Sequence, residues 1–167
     1  MRNILYVSES LKLRKRRNMK HRDAEAILSS VIQLLDLQKA SKVEEAETID
    51  GVKVYLIDGE IVFFNHENSI YPILRSKNIE KLADVVVDMG AIPFICKGAD
   101  IMAPGIKEMP KNFEEGDIVV IRDINHRKSL AIGKALKSSK QIEESKKGKV
   151  ILNLHYVGDR IWQSTTP

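Results

Sequence analysis

Residues 85–106 read VVVDMGAIPFICKGADIMAPGI, a β-rich run that leads into a segment rich in glycine and proline. In IPFICKG, residues 92–98, the proline near the start (Pro93) and the glycine at the end (Gly98) are typical of a one- or two-turn helix that ends just before the glycine. Proline presets φ in the first helical turn, and glycine adopts a left-handed φ beyond the last one. The small residues around Pro104 and Gly105 then predict a loop that another backbone can approach closely. The stretch therefore predicts a strand, a short helix and a loop, in that order.

The stretch begins with a β-rich run, residues 85–88, and three more such runs follow it: 117–122, 129–137 and 149–157. Seven of the nine glycines of the chain lie beyond residue 78. Many short strands separated by turn residues predict a closed or nearly closed barrel.

The N-terminal half has a different pattern. From Asp23 to Lys39 the apolar residues recur at a spacing of three to four, which predicts an amphipathic helix. Residues 43–64 then contain two Asp-Gly pairs between runs of β-forming residues. Because a two-residue type I′ turn needs positive φ at both positions, these pairs predict a three-stranded meander.

The regular pattern breaks over residues 65–80, which contain Pro72 and a polar Ser-Lys-Asn stretch. We place a domain boundary near residue 78, between an N-terminal domain of residues 1–78 and a C-terminal domain of residues 79–167. We expect the second domain to fold on its own.

Composition narrows the class of protein. Of the 167 residues 43% are apolar, enough for an ordinary core, and the single cysteine, Cys96, rules out an internal disulfide. No Cys/His cluster suggests a metal site, no cofactor is needed, and no apolar run approaches the length of a membrane span. These features predict a cytoplasmic protein.

The positive charge is concentrated at the N-terminus. The chain carries +4 in total, but residues 1–22 hold eight Lys and Arg against one Glu, which is +7, and the remainder holds nineteen against twenty-two, which is −3. Such a dense run favours phosphate binding, and a solvated helix start or a flexible basic arm is the alternative. The run consists of Lys12, Arg14, Lys15, Arg16, Arg17, Lys20 and Arg22.

The motifs together resemble a known family. Residues 85–106 and the later stretches GDIVVI, LAIGKAL and NLHYVGDRIW are similar to the successive motifs of a PUA domain, an RNA-binding pseudobarrel. The preceding VKVYLIDGEIVFFNHENSIYPILR resembles the domain that precedes it in the malignant T-cell-amplified-sequence family and its archaeal relatives. The resemblance implies an α+β chain, with an N-terminal α/β pre-PUA domain followed by a C-terminal PUA β pseudobarrel.

The resemblance also implies a function. Members of the family act in translation, on the small ribosomal subunit with a translation-factor partner, and handle tRNA. We therefore expect this chain to bind RNA, either tRNA or rRNA, by positioning it rather than by catalysis. One departure is Pro93, which stands where relatives often carry a basic residue.

By the same resemblance, the groove that contacts RNA corresponds to one loop of this chain. Glycines there would let a sugar-phosphate backbone approach, although they could equally serve only to cap a helix and turn a corner. The loop comprises Lys97, Gly98, Ala99, Asp100, Met102, Ala103, Pro104, Gly105 and Ile106. Further cations in or beside the matched motifs, expected around the groove, are Arg122, Lys134, Lys137 and Arg160.

Signatures of an enzyme are weak. The four histidines lie far apart, and neither a P-loop nor a GxSxG motif occurs. Other interpretations stay open: a ribosome-biogenesis factor of the Nip-seven type, a substrate-binding subunit of an RNA-modification enzyme of the pseudouridine synthase or tRNA transglycosylase type, and a module that binds only proteins.

Overall fold

The computed structural model describes residues 13–35 and 42–165. The first of its two sheets is antiparallel, with five strands that lie side by side in chain order. These strands are β1 (Arg14–Asn18), β2 (Val43–Glu47), β3 (Lys53–Ile57), β4 (Glu60–His66) and β5 (Ser69–Pro72). The predicted meander, β2 to β4, is confirmed.

The two Asp-Gly pairs form different turns. Asp58 and Gly59 have φ of +50° and +90°, as a type I′ hairpin requires. At the other pair only Gly51 has a positive φ, and its N–H donates to the carbonyl of Thr48 in a wider turn. The tight turn predicted at that position is therefore wrong, although the reversal itself is correct.

Two strands of this sheet were not predicted. Strand β5 follows a two-residue turn in which Glu67 and Asn68 both adopt left-handed φ, +48° and +62°, without a glycine to indicate it. Strand β1 consists of RKRRN and has every residue exposed, so it lacks the apolar alternation by which a strand is found. It contains Arg14 to Arg17 of the basic run, which therefore lie in a strand and not in a helix start or a flexible arm, whereas Arg22 lies exposed in the first turn of the helix that follows.

One helix packs on this sheet. Helix α1 (His21–Leu35) begins two residues before the predicted start, and residues 36–41, where the prediction ended, lie outside the described residues. Its Val31 is 1% exposed and packs with Tyr55 and Phe63 of the sheet.

The second sheet is the barrel-like one. Its six strands lie in the order β7-β11-β10-β9-β6-β8, and only the β6–β9 pair is parallel. They are β6 (Ala83–Val87), β7 (Ile101–Met102), β8 (Ile106–Glu108), β9 (Ile118–Asp123), β10 (Ser129–Ala135) and β11 (Lys149–Tyr156). All four predicted β-rich runs are confirmed as strands.

Three helices complete this half of the chain. The predicted short helix is α2 (Ile92–Ile95), and two helices that were not predicted are α3 (Ser139–Ser145) and α4 (Arg160–Thr165). A capping box begins α3: Ser138 accepts from the N–H of Gln141, whose side chain accepts from Ser138. The Ser-x-x-Gln spacing was a readable signal for it. None of the described helices is long and apolar enough to cross a membrane.

The sheets are joined by a shared apolar layer. The connection between Pro72 and Ala83 contains a 3-10 helix, Lys77–Lys81, so the boundary placed near residue 78 lies within it. Val120 and Ile132 of the barrel are fully buried and pack in one cluster with Phe63 and other residues of the first domain.

The last helix, α4, strengthens this junction because it crosses back to the first domain. Arg75 lies over the ring of Trp162, 4.3 Å from its centroid, and the hydroxyl of Ser164 donates to Asp50 at 2.6 Å. Ile161 packs against the far side of the first sheet. The C-terminal end of the described chain therefore belongs to both domains.

The shared layer limits how far the second domain can stand alone. A 79–167 fragment would expose Ile118, Val120 and Ile132, which are at most 8% exposed in the whole chain. We expect the fragment to melt at a lower temperature than the whole chain and to bind a hydrophobic dye, because each exposed side chain loses about 1.5–3 kcal/mol of burial. Circular dichroism melts of both proteins, with dye fluorescence, measure this. Equal melting temperatures would show that the layer contributes little.

Candidate nucleic-acid interface

The predicted loop is built around the short helix α2. The side chain of Asp88 accepts a hydrogen bond from the N–H of Ala91 at 2.9 Å and fixes the turn that leads into the helix. Gly98 follows the helix with φ of +94°, and a Cβ there would lie 3.1 Å from the hydroxyl oxygen of Tyr156. Gly98 is thus required by the fold, whether or not it also contacts RNA.

The loop is held to strand β11 by Asn153. Its side-chain amide donates to the carbonyls of Ile95 and Ala99, both at 3.0 Å, and its backbone N–H donates to Asp100 at 2.9 Å. The other oxygen of Asp100 pairs with Lys149 at 3.3 Å. Asp100, predicted as an RNA contact, is therefore occupied by internal partners. Asn153 was missed, and its only signal was an amide within a β-rich run.

These contacts leave an open groove of about 420 Å³ beside α2. Its walls are mostly apolar or small, and they come from α2, the loop after it and the start of β11. The lining residues are Ala91, Phe94, Ile95, Ala99, Asp100, Ile101, Met102, Gly105 and Lys149. Four of the predicted loop residues, Ala99, Asp100, Met102 and Gly105, are among them.

The remaining predicted loop residues have other surroundings. Ala103 is buried, its N–H donates to the carbonyl of Gly148, and Ile106 packs against the barrel core. Pro104 is exposed in a 3-10 turn, and Lys97 is exposed directly after α2.

Large apolar side chains are exposed at this groove. Among the described residues four are clearly exposed: Phe94 (67%), Met102 (49%) and Met89 (46%) lie in or next to the groove-forming segment, and Ile49 (52%) lies in the first domain. Phe94 and Met89 were not predicted as site residues, because the sequence does not show which apolar residues of a barrel reach its surface. Concentrated apolar exposure is typical of a binding surface.

The predicted cations do not converge on the groove. The guanidinium of Arg122 is only 9% exposed and donates to Asp84 at 2.7 Å, to Glu80 at 2.9 Å and to Ser129 at 2.9 Å. Lys134 lies on the same strand face as Ile132, which packs against the first domain.

Two more of these cations lie elsewhere. Arg160 approaches the first domain, with its Nη2 3.9 Å from the position that a Cβ on Gly51 would take, and Lys137 is half-buried before α3. Of the five cations only Lys97 directly adjoins the helix that forms the groove.

The basic run has a different placement from the one expected. Strand β1 lies antiparallel to β2, and three of its cations pair with glutamates there: Lys15 with Glu47, Arg16 with Glu44 and Arg17 with Glu45. The remaining described members of the run, Arg14, Lys20 and Arg22, are exposed, and Lys12 lies outside the described residues. Phosphate binding by this run stays a prediction.

Comparison with protein families assigns both halves. Residues 83–157 match the PUA domain, and residues 15–82 match a domain of unknown function, DUF1947.

Curated relatives cover most of the chain. An uncharacterized protein of Methanocaldococcus jannaschii, MJ1432, is 43% identical over 75% of this chain and 78% of its own. Translation machinery-associated protein 20 of Saccharomyces cerevisiae is 35% identical over 75% of this chain and 74% of its own. Malignant T-cell-amplified sequence 1-B of Xenopus laevis is 33% identical over 78% of this chain and 75% of its own. The chain belongs to the malignant T-cell-amplified-sequence family.

A solved structure agrees with the family assignment. The crystal structure of the hypothetical protein PH0734.1 from Pyrococcus horikoshii superimposes with a TM-score of 0.76 at 29% identity, over 90% of this chain and 99% of that one. The predicted fold, an N-terminal pre-PUA domain followed by a PUA pseudobarrel, is confirmed.

The placement of Arg122 generates a first prediction for this PUA protein. Arg122→Met should lower the free energy of unfolding by about 1–3 kcal/mol, because charged hydrogen bonds at the domain junction are lost. RNA affinity should stay unchanged, since this guanidinium is occupied away from the groove. Arg127→Met, which breaks an exposed pair with Glu108, is the matched control and should lose less than about 1 kcal/mol. Denaturant unfolding and RNA titration of both variants measure this, and weaker RNA binding by folded Arg122→Met would contradict it.

The pairs of strand β2 generate a second prediction, on acid stability. Hydrogen bonds from Arg16 and then Lys42 lower the pKa of Glu44 from 4.5 to about 2. A lowered pKa in the folded state gives stability that is present above the ordinary value near 4.5 and is lost as the pH falls toward 2. Glu44→Gln should therefore flatten the fall in the free energy of unfolding between pH 4.5 and pH 2. Denaturant unfolding across that range measures it, and parallel curves for parent and variant would contradict it.

Proposed function

We propose that this protein is a non-enzymatic RNA-binding protein of the cytoplasm that acts in translation, and that its PUA groove receives an unpaired end of a structured RNA. A tRNA or the rRNA of the small ribosomal subunit fits this proposal best, with a translation-factor partner. The observation that carries it is the open apolar groove with Phe94 and Met102 exposed at its wall.

The chemistry of the groove suits an unpaired nucleotide. A base offers a flat apolar face, which an exposed aromatic ring such as Phe94 can stack on, and Gly105 leaves the wall without a side chain. Lys97 supplies a positive charge directly after the helix, where a phosphate linked to the base would be attracted. Recognition would depend on fit and stacking, because few free cations line the groove.

The relatives also support the proposal. This chain matches about three quarters of the length of the yeast and frog relatives, and the yeast protein is named for its association with the translation machinery. The function proposed is one of positioning RNA.

The exposed aromatic provides the test. Phe94→Ala should weaken binding of a tRNA by about tenfold, because stacking on a base contributes about 1–3 kcal/mol. The protein should keep its melting temperature, since Phe94 is 67% exposed. Ile49→Ala removes an equally apolar exposed side chain from the first domain and is the matched control. Fluorescence anisotropy with labelled tRNA measures both, and equal affinities for the two variants would show that the groove is not the site.

A second pair of variants tests the groove wall. Gly105→Asp places a carboxylate where a phosphate would pass and should weaken tRNA binding more than tenfold, on the order of 1.4 kcal/mol or more. Gly105→Ala is the control: its Cβ would lie 3.4 Å from that of Ala91, and Gly105 does not need a left-handed φ. It should fold and bind nearly as the parent does. Unchanged binding by folded Gly105→Asp would exclude the groove.

A further inference from the structure

A network of ion pairs lies on strands β1 to β3 of the first domain, outside the groove. Three glutamates of β2 hold five cations, with Glu45 and Glu47 on one face of the sheet and Glu44 on the other. Glu44 pairs with Arg16 and with Lys42 at 3.0 Å, and Glu45 pairs with Arg17 and with Lys53 at 2.8 Å. Glu47 pairs with Lys15 at 2.7 Å. The five paired cations and the three carboxylates sum to +2, and the exposed Arg14 of β1 raises the total to +3.

The cations lie outermost and the carboxylates lie beneath them. The side chains of Lys15 and Arg17 are 77% and 76% exposed, whereas those of Glu44 and Glu45 are 6% and 12% exposed. The cations therefore cover the carboxylates from water, and each pair holds its cation in a fixed place on the sheet.

Arg16 pairs with Glu44 through the side of its guanidinium group that would otherwise bind a phosphate. Arg16 donates from Nε to one oxygen of Glu44 at 3.1 Å and from Nη2 to the other at 2.9 Å. This two-point contact is also the geometry with which arginine binds a phosphate. A phosphate that takes the same edge must displace Glu44 and leave it buried without that partner.

We infer that Glu44, Glu45 and Glu47 act as an internal substitute for phosphate, which occupies the cations of β1 and limits non-specific attachment of RNA backbone to the first domain. The inference rests on the proposed function, since such a shield matters for a protein whose ligand is a polyanion. It assigns these glutamates a role in specificity: with three of the four cations of β1 occupied, discrimination among RNAs is left mainly to the groove.

A triple variant of the full chain, Glu44→Gln, Glu45→Gln and Glu47→Gln, tests the shield. Glutamine keeps the shape of each side chain but removes its charge, which frees Lys15, Arg16 and Arg17 for phosphates. The matched control is a second triple variant, which changes the net charge by the same amount at exposed positions of the second domain. Its substitutions are Glu115→Gln, Glu143→Gln and Glu144→Gln. The probes are a twelve-nucleotide oligouridylate and inorganic polyphosphate, each titrated at four salt concentrations from 50 to 200 mM.

The expected result is quantitative. Each freed cation should add about 0.7 to the slope of log affinity against log salt. The slope for oligouridylate should therefore steepen by about 2 if the three cations of β1 bind phosphate, and by about 3.5 if Lys42 and Lys53 bind it as well. At 50 mM salt the affinity should rise at least about tenfold. The control should gain less than about threefold, because its charges act only through a potential that salt screens within about 10 Å. The ratio of tRNA to oligouridylate affinity should fall in the triple variant only.

The other outcomes overturn the inference. Unchanged affinity of a folded triple variant would show that the cations do not reach phosphate even when freed. Lower affinity would show that the glutamates position the cations for RNA instead of withholding them. Circular dichroism establishes folding, and Glu47→Gln alone provides a milder variant: Glu47 is 32% exposed, and its loss should steepen the slope by about 0.7.

The two proposals can fail separately. If the triple variant gains affinity for polyphosphate while the parent binds no tRNA, the shield stands and the proposed RNA-binding function fails. If the parent binds tRNA through Phe94 and the triple variant gains nothing, the function stands and the shield fails.

Discussion

Strand β9 is buried on both faces over all six of its residues, and this double burial positions the rest of the molecule. Val119 and Ile121 point into the barrel, and Val120 points out of it toward the first domain. A barrel strand with one wet face would alternate apolar and polar residues. Here the outer face is apolar because another sheet covers it, and Arg122 completes that face with ion pairs at the junction. The barrel that carries the groove is thus packed against the first domain through this strand.

Close packing inside the barrel imposes a further constraint. A Cβ on Gly133 would lie 2.5 Å from a methyl carbon of Ile151, so β10 and β11 approach each other at a point where only glycine fits. The same pair of strands carries Asn153, which fixes the loop after α2. The geometry of the groove is therefore set from inside the barrel, through strand pairing, as well as by the sequence of the loop itself.

The sequence predicted those parts of the fold whose cause is local. Runs of β-forming residues between turn residues identified the meander and the barrel strands, and Asp58-Gly59 identified a turn, because each depends on neighbouring residues. It failed where the cause is distant. Strand β1 has no apolar alternation and is held by glutamates about thirty residues away along the chain.

The candidate site follows the same rule. The loop, and four of the residues that line the groove, were predictable from the family resemblance. The exposure of Phe94, the clamp by Asn153 and the internal partners of Arg122 were not, because each depends on which strands become neighbours in space. A count of basic residues likewise overstated the charge available at the N-terminus, since the neutralising carboxylates lie on another strand.

The return of helix α4 to the first domain has a consequence for how the chain is made. Leu56 and Phe64 are buried in a cluster that Ile161 helps to cover, yet roughly a hundred residues separate them from Ile161 along the chain. During synthesis from the N-terminus, that face of the first sheet lacks this part of its cover until residues 160–165 have emerged from the ribosome. The first domain therefore reaches its final packing only after the second domain has been synthesised.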